Sequence, residues 1–181
     1  NDVANAIYDG ADAVMLSAET ATGEHPDEVI AMMVRIAKEI EKVIQPEKRG
    51  PSPLAKPTTN AIAQSVIDAC EALPVDKIIV ATKSGTTART IARFRPLQPV
   101  FAFVADVASK RRLSLSYGIH PDVLSGASSS RDLGIRLLVK TAKNREYVEN
   151  NDLIIVVAGS NILGTSGTNM LEIDTVSNML F

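Results

Sequence analysis

Past residue 57 the apolar positions switch between two periods. Ile62, Val66, Ala69 and Leu73 recur at helical spacing, and then KIIVA at 77–81 is a compact apolar run of strand length. The alternation continues. It predicts a helix over 58–73, a strand at 77–81, a helix over 86–95, a strand at 100–104 and a helix from about 106. A short strand at 119–124, a helix over 130–143 and strands at 153–158 and 170–176 complete the chain. Strands that alternate with helices over short connections imply a largely parallel sheet covered on both faces. The last strand follows its predecessor with no helix between them, so it is expected to be antiparallel. The expected class is α/β: a three-layer αβα sandwich around a mostly parallel five-stranded sheet with an antiparallel last strand.

The first 45 residues follow another pattern. Residues 2–9 read as a short helix closed by Gly10, residues 13–16 as a strand buried on both faces, and Pro26, Asp27 and Glu28 as the start of a second helix. Val29, Met33, Ile36, Ile40 and Val43 give that helix its apolar stripe. One strand cannot close a sheet, and Asn1 leads straight into a helix, so a longer parent protein is expected. Residues 45–57, QPEKRGPSPLAKP, carry four prolines and solvated charges in the manner of a linker. The expected organisation is 1–45, a helix–strand–helix segment; 46–57, a linker; and 58–181, an α/β domain.

Composition narrows the function classes. A chain of 181 residues, 45% hydrophobic and 22% charged, buries one good core with an appendage. A net charge of −2 and a pI near 5.7 leave no electrostatic footprint for nucleic acid or an acidic membrane surface. The longest apolar runs, such as LIIVVA at 153–158, fall far short of the roughly 18 residues of a membrane span. With Cys70 alone no intramolecular disulfide forms, and its helical spacing marks a buried, inert thiol. These features are cytoplasmic in character. His25 and His120 stand in different segments, no Cys or His lies at metal-ligand spacing, and no nucleophile motif is present.

Candidate chemistry gathers after two strands. In VATKSGTTARTIARFRP, at 80–96, an apolar run ends in Thr82, Lys83, Ser84, Gly85, Thr86 and Thr87. Loops at strand carboxyl ends hold ligands in parallel sheets, and a glycine among hydroxyls with one lysine suits a phosphate. The competing reading makes Ser84 and Thr86 helix caps and leaves Lys83, Arg89 and Arg93 on a solvated face. A second loop, AGSNILGTSGTN at 158–169, carries three glycines with Ser160, Thr165, Ser166 and Thr168. Its GxxxxGTS register imitates a nucleotide P-loop, but the lysine is missing and a strand pattern follows where a helix is needed. Two such loops on one sheet can converge on a single phosphate. Ser17 and Glu19, just past the first apolar run, face a pocket if that run belongs to a barrel.

Together these stretches resemble the pyruvate kinase family. DVANAIYDGADAVMLSAETATGEHP resembles the family's last barrel helix, strand and loop; VATKSGTTARTIARFRP its effector loop; and DLIIVVAGSNILGTSGTNMLEIDTV its closing strand, loop and strand. The resemblance implies the carboxyl-terminal part of a pyruvate kinase: the last unit of a (β/α)₈ barrel followed by the C-terminal effector and oligomerisation domain. The family moves phosphate from phosphoenolpyruvate to ADP with magnesium and potassium, through barrel residues absent from this chain, so none of these cofactors is expected here. Ser17 matches a hydroxyl implied in a proton relay; Thr22 stands where some members place a nucleotide-contacting lysine. Thr82, Lys83, Ser84, Gly85, Thr86 and Thr87 match a loop that holds the phosphate of a sugar phosphate or AMP. Ser166, Gly167 and Thr168 match the loop that folds over it, one residue shorter here. The parent is implied to be a cytoplasmic tetramer. A free-standing phosphate-binding regulatory module, and an assembly domain whose anion loops are relics, are the alternatives.

Overall fold

The computed structural model describes residues 1–44, 50–126, 130–163 and 167–181. The chain forms two compact units, Asn1–Gln45 and Pro46–Phe181.

The first unit holds three helices: α1 (Asp2–Tyr8), α2 (Ala18–Ala21) and α3 (Pro26–Glu41). Pro26 opens α3, with Asp27 and Glu28 in the first turn, where the helix dipole favours negative charge. Residues 13–16, expected as a strand, form none. An apolar run becomes a strand only when neighbours take up its N–H and C=O groups, and among the described residues none pairs with it. Met15 is accordingly 89% exposed, and Ile30, Met32 and Val34 leave α3 with apolar surface in water.

The second unit starts with α4 (Pro57–Ala72) and then alternates: β1 (Lys77–Ala81), α5 (Thr86–Ala92), β2 (Val100–Val104), α6 (Val107–Leu113), β3 (Ile119–Val123), α7 (Arg131–Asn144) and β4 (Leu153–Ala158). It ends in β5 (Met170–Thr175) and α8 (Val176–Leu180). The five strands lie in the order β3-β2-β1-β4-β5. The first four are parallel, and β5 runs antiparallel to β4, with Leu153 opposite Thr175 and Ala158 opposite Met170. This is the α/β class expected.

Period-two alternation divides the core between the two faces. Ile78, Val80, Val100, Ala102, Val104, Ile155 and Val157 pack with Ala63, Val66 and Ile67 of α4, Ala88 and Ile91 of α5 and Leu113 of α6. Ile79, Ala81, Phe103, Ile154, Val156 and Ala158 pack with Ile135, Leu138 and Val139 of α7 and with Val176 and Met179 at the C-terminus. The chain thus winds from β1 outward to β3 over one face and returns through α7 on the other to place β4 beside β1. That reversal makes the carboxyl ends of β1 and β4 a topological switch point, the place where open α/β sheets take their ligands.

Two boundaries differ from expectation. The helix after β1 ends at Ala92, because Arg95 has φ +50 and the residue before Pro96 is disfavoured in helical conformation. After β5, Thr175 accepts from the N–H of Asn178 and caps α8, a helix the apolar pattern did not announce.

Candidate functional site

The loops after β1 and β4 meet. Between them and the N-terminal turn of α4 lies a cleft of about 380 Å³, lined by Thr82, Lys83, Ser84, Thr86 and Thr87 from the first loop and Gly159, Asn161, Leu163, Gly167 and Thr168 from the second. Leu54, Lys56 and Thr59 supply the third wall, and Ala81 stands at the end of β1.

Local hydrogen bonds set the first loop. Thr82 continues the sheet, its N–H donating to the Phe103 carbonyl at 3.0 Å, while its hydroxyl accepts from the Gly85 N–H at 3.2 Å. The chain therefore turns within three residues, which needs the left-handed conformation Gly85 adopts at φ +81. A Cβ there would also stand 2.6 Å from Cδ2 of Leu113, so any side chain at this position is strained on two counts. Ser84 and Thr86 pair their hydroxyls at 2.9 Å, and Arg89 donates to the Ser84 carbonyl at 3.2 Å, which holds the rim. Lys83 is exposed beside them.

The second loop is tied to the first by side chains. The hydroxyls of Thr87 and Thr168 hydrogen-bond to each other, and both residues are buried, as is Thr82. Asn169 donates its N–H to the Ala158 carbonyl at 3.1 Å and its amide to Ser160 Oγ at 2.6 Å, closing the loop's base. Gly167 takes φ +74. Ser166, the remaining residue of the expected set, lies outside the described residues, as does Thr165. A strand, β5, follows this loop where a P-loop needs a helix.

Of the cleft's chemistry, Lys56 and Thr59 had no sequence signal. Lys56 closes a proline-rich stretch that reads as linker, and Thr59 sits in a helix whose periodicity points only to its packing face. Gly159 and Asn161 belong to the loop already singled out by its glycines and hydroxyls.

Ser17 belongs to the first unit. It is exposed at the start of α2, its N–H donating to Glu19 Oε2 at 2.9 Å while its carbonyl accepts from the Ala21 N–H at 3.0 Å. The backbone N–H groups of Glu19 and Ser17 hold the Glu19 carboxyl below the usual carboxylate range. Thr22 ends α2, its hydroxyl donating to the Ala18 carbonyl at 3.2 Å. Among the described residues no three His, Cys, Asp or Glu side chains gather as metal ligands.

Comparison with known proteins agrees with this architecture. Residues 60–174 match the family model of the pyruvate kinase alpha/beta domain, and residues 1–30 match that of the pyruvate kinase barrel domain. Pyruvate kinase of Clostridium acetobutylicum is 39% identical over 97% of this chain and 38% of its own length. That of Staphylococcus saprophyticus is 40% identical over 99% of the chain and 31% of its own length; that of Methylorubrum extorquens, 37% over 98% and 37%. The chain belongs to the pyruvate kinase family. It spans between 31% and 38% of the length of these curated relatives.

Proposed function

We propose that this chain is the regulatory, carboxyl-terminal part of a pyruvate kinase and that its own task is to capture a phosphorylated effector, a sugar phosphate or AMP, in the cleft between the β1 and β4 loops. The observation that carries this reading is the convergence of both loops on one cleft, joined by the Thr87–Thr168 hydroxyl pair. A phosphate ester presents oxygens that accept from several short donors at once, and Ser84, Thr86, the loop amides and Lys83 suit that requirement. In the whole enzyme, phosphoenolpyruvate and ADP would give pyruvate and ATP with magnesium and potassium at residues of the barrel. Ser17 would take the proton-relay role that the resemblance implies. The chain alone is expected to turn over no substrate, since phosphoryl transfer rests on positioning and charge stabilisation by groups it lacks. Effector capture acts at a distance from that chemistry, so it works by biasing the arrangement of subunits in a cytoplasmic tetramer.

Thermal unfolding with and without added phosphate esters tests the assignment. A ligand bound to the folded state at 100 times its Kd adds about 2.7 kcal/mol of stability. The expected result is a rise in the unfolding temperature with fructose 1,6-bisphosphate, glucose 6-phosphate, ribose 5-phosphate or AMP that Lys83→Ala abolishes. An unchanged curve with all four contradicts it.

A further inference from the structure

The wall of the cleft formed by residues 54–59 has no counterpart in the loop chemistry just described. Lys56 is exposed at the N-cap of α4, and its Nζ lies 3.8 Å from the position a Cβ on Gly167 would occupy, so the ammonium overhangs the second loop. Among the described residues neither Lys56 nor Lys83 has a carboxylate partner, and no Asp or Glu lines the cleft. Two lysines without acidic neighbours in one cleft, on a chain of net charge −2, form a local positive field against the overall balance.

Lys56 is held there by its surroundings. Asn60, one turn into α4, uses its side-chain amide to fix the segment ahead of it: its Oδ1 accepts from the Ser52 N–H at 2.8 Å, and its Nδ2 donates to the carbonyls of Ser52 at 3.0 Å and Ala55 at 3.3 Å. Arg93, at the C-cap of α5, donates to the Gly50 carbonyl at 3.0 Å. These bonds fold residues 50–56 back on the helix that follows, and they place the exposed lysine at the mouth of the cleft.

We infer that Lys56 is a second cationic contact for the cleft's anionic ligand. The inference rests on the effector-cleft reading. Lys83 approaches the ligand from the β1 loop, Lys56 from the connector beside the β4 loop, and an anion between them is drawn to both.

Calorimetric titration of the chain with fructose 1,6-bisphosphate, glucose 6-phosphate, ribose 5-phosphate and AMP separates the two readings. Lys56→Ala should weaken whichever of these binds by about fivefold to twentyfold and flatten its salt dependence, while Lys56→Arg keeps affinity within about threefold. Undiminished affinity after Lys56→Ala, with loss after Lys83→Ala, overturns the role of Lys56 and leaves the effector cleft standing. Absence of binding to all four esters in the wild-type chain overturns the effector cleft and this inference with it.

Discussion

Thr87 and Thr168, 81 residues apart in the chain, share a hydrogen bond between buried hydroxyls. One stands in the first turn of α5, the other in the loop that leads into β5, so this bond joins the segments that follow β1 and β4. Parallel pairing of β1 with β4 brings the two within reach, and the hydroxyls fix their approach. Removing one partner leaves the other buried and unsatisfied. Thr87→Val or Thr168→Val should each destabilise the second unit by about 1–3 kcal/mol, and the double variant should cost clearly less than the sum. Urea unfolding of the four proteins completes the cycle, and strict additivity would show that the hydroxyls do not couple.

At Gly85 two constraints coincide, positive φ and a side chain packed against the missing Cβ. Gly85→Ala should cost about 2–4 kcal/mol, from the left-handed backbone and from displacement of Leu113. Gly118, also at positive φ but with open space around it, is the comparison: Gly118→Ala should cost only the backbone part. Equal losses at both positions would mean that Leu113 yields freely.

Acid should unfold the second unit through two aspartates. Burial raises the pKa of Asp122, but Lys110, at 2.8 Å, the Val123 N–H and Tyr147 outweigh it and hold the carboxyl below its usual range. Asp152 behaves alike: burial is outweighed by the hydrogen bond from Lys77 and by the Glu149 N–H. A folded-state pKa below the unfolded value gives stability that is present above the unfolded pKa and is lost as pH falls through the folded one. The loss should therefore begin below about pH 4, the ordinary aspartate value, and continue downward. Asp122→Asn should lower stability at neutral pH by about 1–3 kcal/mol and make the acid slope shallower, as read from unfolding midpoints against pH.

Cys70 gives an independent check on packing. Burial in α4 pushes its thiol up to about 11, so at pH 8 little thiolate exists. Alkylation of the folded chain at pH 8 should run roughly 200-fold slower than that of the urea-unfolded chain, from the difference between this value and an ordinary thiol near 8.5. Similar rates in both states would place the thiol in water.

The apolar patterns carried most of the fold. Strands β1, β2 and β4 are visible as short apolar runs, β3 and β5 only as weaker mixed patterns, and the lack of a helical pattern between Ala158 and Met170 announced the antiparallel last strand. Strand order was not visible. It depends on α7 crossing the other face, and nothing in the spacing of Ile135, Leu138 and Val139 says which face receives them. Residues 13–16 mislead for a related reason: an apolar run reports a wish for burial, while a ladder needs neighbours. At the cleft, the hydroxyl-rich loops announced themselves by composition, whereas Lys56 took on meaning only once Asn60 was seen to fold the connector back.

The most direct measurement is a titration of the chain with the four phosphate esters, repeated on Lys83→Ala. The expected result is saturable binding of at least one of them, at one site per chain, weakened about tenfold or more when the Lys83 ammonium is removed. An affinity that Lys83→Ala leaves unchanged, or no heat with any of the four, would contradict it.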